Sequence, residues 1–376
     1  MDRRAKLGLA FLLVFCVFVL LAVTSIPRTH SGSLFLVAST EVPRFAHTAT
    51  LLKNGRVLIA GGMARNGEWL DTAELYDPEH ERFTPTGVML ARRAGATATL
   101  LPNGKVLIAG GNDGESSLAT AELYDSTTNR FFPAGKMTSS RGHAQAVTLS
   151  NGKVLIIGGN AEGDSQQLTS AELYDPATNK FTSTGSMQHP RSYFTSVRLH
   201  DGRVLVAGGM SGGHYPDQRI EATAEIYDPS TAHFSPAGNM AVPRYKLGSV
   251  LLQDGRVLIA GGSDSHDWRS MYASTEIFDP QSGTFNRGPQ MKNRRFKLAQ
   301  GILSLPDGRV LIAGGASELE MYDPSMRRGI EIAAASLDGF FYSTTTLLED
   351  GRVLIVGGYG TNPQAGAVRH AWIWKP

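Results

Sequence analysis

Arginine recurs at a fixed place in the pattern of this chain: Arg44, Arg92, Arg141, Arg191, Arg244, and Arg294 or Arg295. A guanidinium is planar and offers a fork of donors that matches a carboxylate or a phosphate. A ring of such groups would bind an anion, and the neighbouring Tyr245-Lys246 and Phe296-Lys297 would thicken the basic rim. The same regularity fits a second role, in which each arginine bonds carbonyls or a glutamate of a neighbouring structural unit. Both readings stand on the sequence.

Other candidates lie in stretches that vary in length. Tyr215, Trp268 and Trp69 offer flat faces for stacking on a sugar or a peptide, or for packing their own loops. His266 and His214, with Asp217 and Asp264, carry metal-ligating atoms, but their spacing follows no ligand pattern, and neither a metal nor another cofactor is expected. The single cysteine, Cys16, sits in an apolar run, so the remainder of the chain has no thiol nucleophile and no disulfide. No acid–base or nucleophile motif stands out. The 36 basic and 34 acidic residues nearly balance, which argues against a nucleic-acid binder.

The elements that position these residues follow from a repeat. Asn/Asp-Gly-Lys/Arg-Val-Leu-x-x-Gly-Gly occurs seven times, ending at the pairs that begin with Gly61, Gly110, Gly158, Gly208, Gly261, Gly314 and Gly357. A second pattern, Ala73-Glu-Leu-Tyr-Asp-Pro78, returns around Tyr124, Tyr174, Tyr227, Phe278 and Tyr322. Phe83, Phe131, Phe181, Phe234 and Phe285 follow that aromatic by seven residues, and Gly329 breaks the series. Each unit reads as four short strands, a to d. In the second unit strand a is Thr97-Leu101, a two-residue Asn103-Gly104 turn follows, strand b is the apolar run Val106-Ala109, strand c is Ala121-Tyr124 and strand d starts at Phe131. Such a sheet buries both faces only against neighbours, so the units stack radially. The fold class is all-β: a seven-bladed β-propeller of four-stranded blades.

The last unit ends after its strand c, Ala371-Trp374. Phe35 precedes Arg44 by nine residues, as Phe83 precedes Arg92, which aligns Leu34-Ser39 with the d strands and predicts that it completes the last blade. Residues 33–376 are thus expected to form the propeller. Residues 1–32 read as an export signal or transmembrane anchor with a short linker: a basic head precedes the apolar run Leu7–Val23. If the segment is retained as an anchor, the linker would hold the propeller within roughly 25–30 Å of a membrane.

Alternating strand direction puts the uniform a–b and c–d turns on one face. The variable b–c loops and the arginine-bearing d–a loops share the other, where a site would lie. The seventh unit has Asp338-Gly-Phe in place of the arginine.

The repeated Gly-Gly after an apolar strand, followed by two aromatics at fixed spacing, resembles the kelch family over essentially Leu34 to Pro376. The resemblance implies a binding scaffold for a protein, peptide or glycan, anionic ligands among them, since arginines at the corresponding loop of some kelch adaptors contact acidic peptides. It also raises enzyme classes. Galactose oxidase-type chemistry needs a Tyr–Cys pair that this propeller lacks, and sialidase Asp boxes are missing. A carbohydrate-active enzyme of the sialic-acid epimerase type stays open. The expectation is an exported or membrane-anchored, non-catalytic ligand-binding propeller whose candidate contacts are Arg92, Arg141, Arg191, Arg244, Arg294, Tyr215, His266 and Trp268.

Overall fold

Four-residue runs such as Val57–Ala60 (VLIA) are buried along their whole length, because each strand b has apolar neighbours on both faces. The computed structural model describes residues 32–65, 68–162, 165–213, 217–325, 328–331, 337–361 and 366–376. It contains seven four-stranded antiparallel sheets, blades I to VII. Blade I runs Thr48–Leu51, Val57–Ala60, Ala73–Asp77 and Arg82–Pro85, as strands a to d. The inner a strands neighbour one another around the whole ring, Thr48–Leu51 lying beside both Thr97–Leu100 and Thr344–Leu347.

Seven apolar clusters hold the ring, and each lies between two blades. Strand b of blade I shows the logic: Leu58 and Ala60 enter the cluster shared with blade II, while Val57 and Ile59 enter the one shared with blade VII. Fully burying one such aliphatic side chain is worth about 1.5–3 kcal/mol. The aromatic pair of the repeat is a cross-strand contact: Tyr76 faces Phe83 with centroids 4.9 Å apart, and Tyr124 faces Phe131 at the same distance.

The N-terminal strand Ser33–Ser39 pairs antiparallel with His370–Lys375 and completes blade VII. Its register differs from expectation by one residue. Leu34, not Phe35, lies opposite Trp374, the position that Phe83 holds opposite Tyr76, and Phe35 is left exposed. The a–b connection is also corrected. Leu52 N–H bonds Arg56 O while Gly55 N–H bonds Leu52 O, which makes a three-residue loop with Gly55 left-handed at φ 78°. This is a type I turn closed by a glycine bulge rather than a two-residue turn.

The Gly-Gly pairs stitch the blades together. The second glycine of each pair donates to the carbonyl of the arginine position in the next blade, from Gly62 to Arg93 (2.7 Å) round to Gly358 to Arg44 (2.9 Å). A Cβ on Gly61 would stand 2.3 Å from the Arg93 oxygen, so the approach requires glycine. Among the described residues no helix is long and apolar enough to cross a membrane; the run Leu7–Val23 lies outside them.

Candidate functional site

The repeated arginine sits at the end of each d–a loop, just before the inner strand. In blades I to VI it is Arg44, Arg93, Arg141, Arg191, Arg244 and Arg295, each at most 2% exposed. Arg141 is typical. Its guanidinium donates to Gly158 O (2.8 Å), Ser170 O (2.9 Å) and Ser170 Oγ (2.8 Å), and pairs with Glu172 (3.0 Å). Glu172 in turn accepts the backbone N–H of Thr138 (2.9 Å) and Ser139 (3.4 Å). Arg191 with Glu225 and Arg244 with Glu276 repeat this. These side chains bind the loop to its own blade and present no donor to solvent. The ligand-facing arginine rim is corrected accordingly. Arg92 and Arg294 prove to be exposed neighbours of the buried Arg93 and Arg295, one residue out of the repeat.

Blade VII has neither partner. Phe340 takes the arginine position and Trp372 takes that of the glutamate, both buried in the cluster shared with blade VI. The arginine and the glutamate are lost together, and an aromatic pair fills their space.

Two residues after the arginine position, every blade places one residue at the channel mouth: Ala46, Gly95, His143, Tyr193, Lys246, Lys297 and Tyr342. All seven have left-handed backbones, with φ from 50° to 61°. For a side chain larger than glycine this conformation is rare, and it persists only where the surroundings enforce it. Hydrogen bonds around the mouth enforce it here. Each N–H donates to the equivalent carbonyl of the preceding blade: Gly95 to Ala46 (3.0 Å), His143 to Gly95 (3.0 Å), Tyr193 to His143 (3.4 Å), Lys246 to Tyr193 (2.8 Å), Tyr342 to Lys297 (3.4 Å) and Ala46 to Tyr342 (3.2 Å). One link slips by a residue, with Leu298 bonding Lys246 O (3.2 Å).

On this fixed backbone only the side chains vary, and they vary by side. Blades I and II contribute Ala46 and Gly95, and the His143 ring lies over Gly95. Blades III to VII contribute rings and amines. His143 stacks on Tyr193 at 4.1 Å, and the Lys246 ammonium lies 5.2 Å from the Tyr193 ring centroid and 4.6 Å from that of Tyr245. The Lys297 ammonium is ringed by Phe296, Phe341, Tyr342 and Tyr359 at 4.7 to 5.8 Å. The cavity between them has a volume of about 90 Å³.

One carboxylate serves both lysines. Asp267, carried in by the b–c loop of blade V, lies 3.0 Å from Lys246 and 4.0 Å from Lys297, and accepts a bond from Tyr245 OH (2.8 Å). Burial alone would raise its pKa, but Lys246 and Lys297, with the Tyr245 bond, outweigh that and hold it below the usual carboxylate range. Burial lowers the pKa of Lys297, against the pull of Asp267. Burial and then Asp267 push Tyr359 up to about 12, so its phenol keeps its proton at neutral pH. His47, buried beneath the mouth with Nε2 2.9 Å from Thr344 Oγ1, is pushed down to about 3 by burial and by Arg44.

The other sequence candidates lie around this mouth or away from it. His266 and Trp268 flank Asp267 on its loop, both exposed, with His266 bonded to Asp264 (3.0 Å) and Arg269 stacked 5.3 Å from the Trp268 ring. Tyr215 and His214 lie outside the described residues. Trp69 packs over Gly114 of the next blade. His143, Tyr193, Tyr342 and Tyr359 escaped the sequence reading. The first three share a signal that could have found them, a place two residues after the arginine position at which the residue type changes from blade to blade.

A family model of the kelch motif matches residues 92–138, 141–188 and 191–241. No curated protein matches the chain. Among solved structures, a fungal alcohol oxidase of the AA5 family, in complex with copper, is similar with a TM-score of 0.73, at 19% identity, over 92% of this chain and 77% of that one. That likeness concerns the fold alone. Among the described residues, the one set of three His, Asp or Glu side chains close enough to share an ion is Asp77, Glu79 and His80. It lies at the c–d turn of blade I, on the face opposite the mouth.

Proposed function

We propose that the chain, a seven-bladed β-propeller with kelch motifs at residues 92–138, 141–188 and 191–241, is a non-catalytic binding scaffold whose channel mouth takes a partner through an anionic group. The observation that carries this reading is the pair of lysines sharing one carboxylate. Lys246 and Lys297 both border the cavity, 3.0 and 4.0 Å from the one carboxylate of Asp267. A carboxylate entering the cavity would meet amine donors from both blades. Tyr193, Tyr342 and His143 supply flat surfaces beside it, and exposed Trp268 extends that surface outward. At ~30 Å³ per water-sized volume the cavity admits a handful of non-hydrogen atoms, so a peptide or glycan would enter by one acidic end. The basic head and the apolar run Leu7–Val23 support a place outside the cytoplasmic membrane, anchored or released.

The test is calorimetric titration of the full-length chain in detergent with an acidic peptide and with a sialylated trisaccharide. Lys246→Ala is expected to weaken any binding by about tenfold or more, the worth of a bond to a charged group. Arg92→Ala and Arg294→Ala, at exposed positions outside the mouth, are expected to leave it unchanged. Equal loss from all three would place binding elsewhere.

A further inference from the structure

Lys246 and Lys297 are not equivalent, and the difference suggests separate tasks. Lys246 is held 3.0 Å from Asp267 in an ion pair. Lys297 is 4.0 Å away, mostly buried, and enclosed by four aromatic rings. Its Nζ donates to the hydroxyl of Tyr359. A lysine desolvated by burial is the arrangement that favours a neutral, nucleophilic amine. Both groups line the same small cavity.

We propose that the mouth captures a small 2-oxo acid covalently, with Lys297 forming an imine at the carbonyl carbon while Lys246 holds the carboxylate. The proposal rests on the mouth being the anion site. Burial lowers the pKa of Lys297, a shift in the direction of the neutral amine. The step balances without any oxidant or reductant. The Lys297 ammonium first yields a proton to solvent, and the amine then adds to the carbonyl carbon. A C–N bond forms, and the carbonyl oxygen becomes a hydroxyl as the nitrogen gives up one of the amine's two hydrogens. The C–O bond then breaks and the oxygen leaves as water with the second of those hydrogens. What remains is a C=N bond between Lys297 and the acid. Tyr359, protonated and in contact with Nζ, is placed to pass a proton to the departing oxygen and regain one from the nitrogen. The small cavity favours a short acid over a long one.

The full-length chain in detergent is incubated with pyruvate and cyanoborohydride, which reduces imines to stable amines, and the adducts are mapped by tandem mass spectrometry. Labelling at Lys297 is expected to exceed that at exposed Lys53 and Lys180. Lys246→Met is expected to cut labelling by pyruvate about tenfold, as loss of a charged bond does, while labelling by uncharged propanal stays near that of the unmodified chain. Labelling of Lys297 no faster than Lys180, or equal sensitivity of pyruvate and propanal to Lys246→Met, overturns the proposal. Lys297→Arg keeps the charge but forms no imine, and a thermal midpoint close to the parent's checks its fold. If lactate and acidic peptides bind while pyruvate leaves no adduct, the covalent step fails and the scaffold reading stands. If no anion binds either, both fail.

Discussion

Changing Arg141 to Met keeps most of the stem and removes the charge from a pair buried in blade III. Glu172, 1% exposed, would remain ionised with only the Thr138 and Ser139 N–H groups as donors, and the Gly158 and Ser170 carbonyls would each lose a donor. Removing one partner of a buried pair costs about 3–5 kcal/mol. Unfolding entropy near 2.1 cal/mol/K per residue, over about 340 propeller residues, converts this to a fall of ~4–7 °C in thermal midpoint. The chain supplies the comparison, because blade VII fills the same two positions with Phe340 and Trp372. Arg141→Met combined with Glu172→Leu removes both charges at once. It is expected to lie closer to the parent than the single substitution does, with a coupling of about 2 kcal/mol or more within the 0.5–3 kcal/mol span of contacting pairs. Near-UV circular dichroism melts of the parent, both singles and the double supply the cycle. A midpoint shift under about 1 °C for Arg141→Met, or strict additivity of the two changes, would refute the reasoning that burial makes the pair interdependent.

The paired glycines give a sharper contrast. Gly110→Ala would set a Cβ 2.2 Å from the Arg141 carbonyl, whereas a Cβ on Gly255 meets nothing within 4 Å. Both are left-handed, so each change carries about 1–2 kcal/mol of backbone strain; only Gly110→Ala should lose several degrees beyond that in a thermal melt. His47 should make stability fall with acid. Its folded pKa of about 3 lies below the unfolded value of 6.5, so between those limits the unfolded chain binds a proton that the folded one does not, and stability drops as pH falls. His47→Gln should remove a slope of up to about 1.4 kcal/mol per pH unit in that window, read from urea midpoints at several pH values; equal slopes in the two proteins would argue against a buried neutral imidazole.

The fold was legible because its signals repeat. Seven in-phase motifs fix the blade number, and one aligned strand fixes the closure. The alignment nevertheless carried a hidden error. Phe35 and Arg92 each fit a nine-residue spacing, while the true spacing is ten, from Leu34 to Arg44 and from Phe83 to Arg93. Adjacent arginines at Arg92–Arg93 and Arg294–Arg295, and adjacent apolar residues at Leu34–Phe35, let two compensating shifts agree. The role of the arginine was written in the chain as well. The glutamate two residues before each repeated aromatic, from Glu74 to Glu320, is present in the six blades that carry the arginine and absent from the one that lacks it. The shared carboxylate was less accessible. Asp267 joins lysines 21 and 30 residues away in sequence (267 − 246 and 297 − 267) only because neighbouring blades fold their loops over one opening. No periodicity reports that.

The circle of left-handed residues has a consequence for the field and the history of the mouth. Its hydrogen bonds run tangentially and nearly close on themselves, so the peptide dipoles largely cancel around the circuit, unlike those of a helix end. The potential along the axis is then set by side chains. That backbone already carries glycine, alanine, imidazole, phenol and amine, so side chains can be exchanged on it without a change of backbone conformation, except at Gly95, where the His143 ring leaves no room for a Cβ. Selection can respecify the ligand one side chain at a time while the ring beneath stays unaltered.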